Sequence, residues 1–104
     1  MPDIPRLKAE FFKALGHPLR IRVLELLSES EASVSELLAQ VDVEQPYLSQ
    51  QLAVLRRAGF VATRREGPNV VYELADQRVA ELLAIARQML LDSVTATRDQ
   101  LRLS

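Results

Sequence analysis

The stretch QPYLSQQLAVLRR, residues 45–57, gathers the side chains of this chain best equipped to meet a ligand. Gln45, Tyr47, Ser49, Gln50 and Gln51 crowd its first half behind Pro46, and Arg56 and Arg57 close it. A glutamine amide donates and accepts in one plane, which matches the exposed edge of adenine in a major groove. Arginines one or two turns further on would meet the phosphates that flank such a groove. No acid interferes, because residues 45–65 carry four arginines and no Asp or Glu. Catalytic chemistry finds no comparable grouping. There is no cysteine, only one histidine (His17), and each of the three glycines suits a helix end or a turn. Thiolate chemistry, a glycine-rich phosphate loop and a Ser/His/Asp set are all unsupported, so no enzyme and no cofactor is expected. One histidine does not make a metal site. The carboxylates Asp76, Glu81, Asp92 and Asp99 alternate with Arg78, Arg87, Arg98 and Arg102, which charge pairing on a solvated face explains.

The elements that must present these residues are readable from periodicity. Residues 6–15 place Leu7, Phe11 and Leu15 on one helical face, and Gly16 suits the end of that helix. Pro18 suits the first turn of a second helix over 18–29, with Leu19, Val23, Leu26 and Leu27 as its apolar stripe and His17 as a cap or hinge. Ser33 and Glu36 have the capping-box spacing, opening a short helix buried through Val34, Leu37, Leu38 and Val41. In the next helix Pro46 again falls in the first turn, Leu48, Leu52 and Leu55 form the core stripe, and Gly59 ends it. Pro46, Gln50, Ala53 and Arg57 then lie opposite that stripe, flanked by Gln45, Tyr47, Ser49, Gln51 and Val54. FVATRR, the turn EGPN and VVYEL predict a β-hairpin, with Val70, Tyr72 and Leu74 facing inward and Asn69 at the tip. Asp76 is the expected cap of a last helix. Its apolar set Val79, Leu82, Leu83, Ala86, Met89, Leu90 and Val94 is too large for a terminal helix covered on one side, which predicts a partner helix from a second copy.

The bulk properties set outer bounds. The chain has 104 residues, 48% of them apolar and 26% charged, an ordinary balance for one globular domain. Its net charge of −1 conceals a segregation: residues 31–43 hold three acids and no base, whereas 45–65 are wholly basic. Local sign decides where a polyanion can dock. Nothing approaches the roughly 20 consecutive apolar residues of a membrane span. MPDIPRLKAEFF has prolines and charges where a signal peptide needs an apolar run, so a cytoplasmic protein is expected.

Four helices, a hairpin and a last helix describe a fold that is mainly α with a β-hairpin, a winged helix-turn-helix. Three blocks carry a resemblance to the ArsR/SmtB group of bacterial winged-helix repressors. FFKALGHPLRIRVLELL is similar to that family's F-x-x-L-x-x-P-x-R opening, YLSQQLAVLRRAGFV to its S-x-H-L-x-x-L-R-x-A-G-L-V recognition pattern, and RREGPNVVYEL to its wing. Together they span roughly residues 6–75. The resemblance implies a homodimer formed through the first and last helices. Departures are local: Gln51 stands where the family often has histidine, and Glu44 where a small hydroxyl cap is usual. SVSELLAQV lacks the C-V-C pair that many relatives carry there, and the last helix has no histidine ligand, so no metal is expected.

The sequence thus predicts one winged helix-turn-helix domain over 1–104, with dimerisation helices 6–15 and 76–100, the helix-turn-helix at 33–58 and the wing at 60–74. Its partners would be double-stranded operator DNA and a second copy, with no membrane and an unknown small-molecule effector. Gln45, Pro46, Tyr47, Ser49, Gln50, Gln51, Arg56, Arg57, Arg64, Arg65 and Asn69 are the candidates for DNA contact, with Arg64 and Arg65 left equal. Leu7, Phe11, Val79, Leu82, Leu83, Ala86, Met89 and Leu90 are the candidates for the dimer interface. The expected function is a sequence-specific DNA-binding transcriptional regulator, a repressor acting on an inverted repeat. The alternatives are a winged-helix protein-interaction module and a ligand-responsive repressor with a non-thiol, non-histidine effector site.

Overall fold

The structure is a computed structural model, and it describes residues 1–103. Helix α1 (Ile4–Leu15) starts at Asp3, whose carboxylate accepts from the Arg6 backbone N–H at 3.2 Å, and ends at Gly16. Helix α2 (Pro18–Glu29) is capped by His17: its Nδ1 accepts from the Leu19 N–H at 3.2 Å. A two-residue strand, β1 (Ala32–Ser33), then runs into α3 (Val34–Leu38), which the Ser33–Glu36 capping box opens as the spacing predicts. Helix α4 (Gln45–Arg57) follows, and Gly59 with φ +83° turns the chain out of it. The left-handed region is one that only glycine enters cheaply. Strands β2 (Val61–Glu66) and β3 (Asn69–Leu74) form the hairpin, and α5 (Arg78–Leu103) completes the chain.

The sheet is antiparallel in the order β1-β3-β2. Its first strand was not predicted, since two residues carry no alternation to read. Glu66 pairs with Asn69 across the two-residue loop Gly67-Pro68, where Gly67 has φ +62°. A glycine in that conformation followed by proline fits a type II′ turn, whose twist matches that of the strands it joins.

The core lies among α2, α3, α4 and the base of the hairpin. Val23, Leu24, Leu48, Leu52 and Leu55 are wholly buried, with Leu37, Phe60, Val61 and Leu74 beside them. Every leucine of the predicted α4 stripe is therefore in place, and Leu24 joins α2's inner face. Val70 corrects the sequence reading. It shares a strand face with Tyr72 and Leu74, but it stands out near the turn beyond the edge of the core and is exposed.

The two terminal helices are poorly covered. Leu15 is α1's only buried residue and Val79 is α5's. Ile4, Leu7, Phe12, Ile85, Met89, Leu90 and Val94 all face solvent. The radius of gyration, 16.6 Å, exceeds the roughly 13 Å of a compact domain near this length because α5 runs past the core.

Candidate nucleic-acid interface

Helix α4 owes its position to its leucines. With Leu48, Leu52 and Leu55 locked in the core, the helix cannot rotate, and Gln45, Pro46, Tyr47, Ser49 and Gln50 are all exposed. Its first turn is stable without a side-chain cap. The Glu44 carboxylate makes no capping bond, while the Glu44 carbonyl accepts from the Tyr47 and Leu48 N–H groups at 3.1 Å each. The Tyr47 hydroxyl lies 3.0 Å from His17 Nε2. Because Nδ1 of that ring accepts the Leu19 N–H, the proton of the neutral ring belongs on Nε2, which donates to the Tyr47 oxygen. Arg56 and Arg57 extend from the last turn into solvent.

Gln51 corrects the candidate set. It is 9% exposed, turned inward beside the leucines, and its Oε1 accepts from Arg20 Nη1 at 3.0 Å. A side chain so held does not reach a groove. The signal was present in the spacing, since position 51 lies three residues after Leu48 and four before Leu55.

The hairpin separates the two arginines that the sequence left equal. Arg64 lies among carboxylates: Glu31 takes both ends of its guanidinium, Glu66 stands 3.1 Å away and Glu73 3.4 Å away. The Glu31 bond is the largest influence raising the arginine's proton affinity, and the same bond holds the Glu31 carboxyl below its usual range. Arg64 is thus committed to fastening the hairpin to the segment before β1. Arg65 is paired with Val70 on the opposite strand face, and no carboxylate stands within ion-pair distance of it among the described residues. Asn69 is exposed beside the turn.

The set assigned to dimer contact divides as well. Leu7, Ala86, Met89 and Leu90 are exposed, and Leu82 and Leu83 are half-buried against the protomer's own core. Phe11 keeps one side in solvent and sets its ring 4.9 Å from that of Phe60. Val79 is 6% exposed and belongs to the core, so it leaves the interface set. Among the described residues no group of His, Cys, Asp and Glu is arranged to hold a metal ion, and no helix is long and apolar enough to cross a membrane.

Comparison with known proteins agrees with this architecture. A model of bacterial regulatory proteins of the arsR family matches residues 17–63. An uncharacterized HTH-type transcriptional regulator of Mycobacterium tuberculosis is 59% identical over 86 residues, 82% of this chain and 75% of that protein. The chain belongs to the arsR family. It is a DNA-binding transcriptional regulator with a winged helix-turn-helix fold. The crystal structure of the M. tuberculosis protein superposes with a TM-score of 0.86 at 52% identity, covering 93% of this chain and 98% of that one. A biofilm growth-associated repressor of Agrobacterium fabrum is 48% identical over 75 residues, 72% of this chain and 64% of its own length. The homodimeric winged helix-turn-helix DNA-binding domain of a possible regulator from Mycobacterium bovis superposes with a TM-score of 0.80 at 26% identity, over 90% of this chain and 91% of that one.

Proposed function

We propose that this arsR-family chain is a homodimeric repressor, one winged helix-turn-helix domain per copy, that binds an inverted-repeat operator in the cytoplasm and performs no catalysis. The observation that carries the reading is the division of α4 into a buried leucine stripe and an exposed polar face, in a segment whose every charge is positive. Gln45, Tyr47, Ser49 and Gln50 meet base edges or nearby backbone in the major groove. Arg56 and Arg57 take flanking phosphates, and Arg65 with Asn69 takes the adjacent backbone or minor groove. The exposed apolar faces of α1 and α5 pair with those of a second copy, and the M. bovis domain of the same fold is homodimeric. The two α4 helices then read half-sites whose centres lie about 34–36 Å apart, or a multiple of that. Blocking a promoter needs nothing further.

The test is selection of bound duplexes from a random-sequence library, followed by titration of the best one at several salt concentrations. An inverted repeat bound with an affinity that falls steeply as salt rises supports the reading. Absence of duplex binding at low salt overturns it.

A further inference from the structure

Arg20 holds three partners at once. Its Nε donates to the Ala14 carbonyl at 2.7 Å, its Nη2 to the Lys13 carbonyl at 3.4 Å, and its Nη1 to Gln51 Oε1 at 3.0 Å. The first two partners are carbonyls in the last turn of α1, at the negative end of its dipole; the Lys13 carbonyl also accepts from the Gly16 N–H at 3.1 Å. The third is the inward-turned amide of α4. One planar guanidinium therefore joins the helix of the proposed dimer contact, the helix α2 that bears Arg20, and the helix of the proposed DNA contact. Lysine, a point charge on a flexible stem, could not span the three.

Little else settles the direction of α1. Leu15 is its only buried residue, with Ala14 half-buried beside it at the same end, and the Phe11–Phe60 ring contact is one point about which the helix could swing. A helix of 12 residues is about 18 Å long, so a swing of about 10° moves its far end by about 3 Å. That nearly equals the rise of one base pair, about 3.4 Å. An error of this size at the subunit contact becomes an error of register between two recognition helices.

We propose that Arg20 is a positioning residue for DNA recognition. By gripping the end of α1 and Gln51 of α4 together, it sets the recognition helix relative to the subunit contact and so sets the half-site spacing that the dimer accepts. This rests on the homodimeric DNA-binding reading above. The same clamp gives Gln51 a task that needs no contact with DNA.

The experiment uses the full-length dimer and the best duplex selected by the wild-type protein, together with duplexes whose half-sites are moved together or apart by one and two base pairs. Gln51→Met keeps the length and burial of the side chain and removes the acceptor. Gln51→Glu keeps an acceptor for the guanidinium. The wild type and Gln51→Glu should lose about tenfold or more in affinity on each altered spacing, the scale of one mismatched base pair. Gln51→Met should bind the optimal duplex about tenfold more weakly and discriminate among spacings by less than about threefold. Its Tm and dimer dissociation constant should stay near those of the wild type. Arg20→Met should show the same broadened spacing with an unchanged salt slope, because no phosphate contact is lost.

Gln51→Met that keeps the wild-type spacing preference overturns the proposal. So does a uniform loss at every spacing that tracks a lowered Tm, and so does a salt slope reduced by about one in Arg20→Met, which would make Arg20 a direct phosphate contact. A wild type that binds no duplex removes the functional reading and this proposal together, whereas the other outcomes remove the proposal alone.

Discussion

Arg64 and Arg65 are adjacent in the chain and opposite in role: Arg64 sits among Glu31, Glu66 and Glu73, while Arg65 lies on the other strand face with no carboxylate in reach among the described residues. Alternation along a strand sends neighbours to opposite faces, and only one face of this wing is acidic. An arginine already surrounded by three carboxylates has little charge to offer a phosphate. Arg65→Met is therefore expected to lower affinity for all duplexes alike and to reduce the salt slope by about one. Arg64→Met should leave the slope unchanged and should raise the Glu31 carboxyl toward its ordinary value, because the bond from Arg64 is what depresses it. A salt titration and an NMR titration of Glu31 check the pair. An equal loss of slope in both variants would reject the distinction.

Gln50 lies opposite the leucine stripe, in the part of α4 that faces outward. Gln50→Ala is expected to relax sequence preference at one position per half-site. The cost of the preferred base there, about 1–3 kcal/mol for a bidentate contact, should largely vanish. Repeating the duplex selection with the variant measures this. An unchanged selected sequence would remove Gln50 from the readers.

Asp76 governs an acid-sensitive corner at the start of α5. Hydrogen bonds from the Arg78 side chain and then from its backbone N–H pull the carboxyl down from the ordinary 3.8 to about 2. A carboxyl depressed in the folded state contributes stability that is fully present above the unfolded value and is lost as pH falls through the folded one. The wild type should thus exceed Asp76→Asn in stability above about pH 4, and the difference should fade between about pH 4 and pH 2. Denaturant titrations of both proteins over that range check it. A constant difference across the window would refute the assignment.

The elements came through in the sequence because local signals coincide with them. Proline in a first turn, the Ser33–Glu36 capping box, glycine past a helix end and leucines at helical spacing are rules of a few residues' range. The candidate surface of α4 followed, since a buried stripe dictates what faces outward. Gln51 reads as a surface residue by its polarity, while its position between Leu48 and Leu55 turns it inward. Its partner, Arg20, is 31 residues away, and no short-range pattern announces a bond at that distance. The choice between Arg64 and Arg65 was illegible for the same reason, since Glu31 lies 33 residues before Arg64 and meets it only once the hairpin docks. Val79 looked like an interface residue because periodicity marks an apolar face without saying what covers it. The protomer's own core buries Val79 in the first turn of α5, half-covers Leu82 and Leu83 in the second, and leaves Ile85, Met89 and Leu90 beyond it exposed.

That boundary along α5 yields the last prediction. Val79 packs inside the protomer, whereas Leu90, three turns further on, is 67% exposed in the isolated chain. A charge at the two positions should therefore act in different ways. Val79→Asp places an unpaired carboxylate in the core and should cost about 3 kcal/mol or more, enough to unfold a marginal domain. Leu90→Glu removes nothing from the protomer core. It should leave the folded protomer's helix content intact while raising the dimer dissociation constant more than about tenfold, because an apolar contact between copies would have to bury the new charge. Sedimentation equilibrium and circular dichroism separate the two effects. A Leu90→Glu protein that dimerises like the wild type would mean that the second copy is seated elsewhere than on this face of α5.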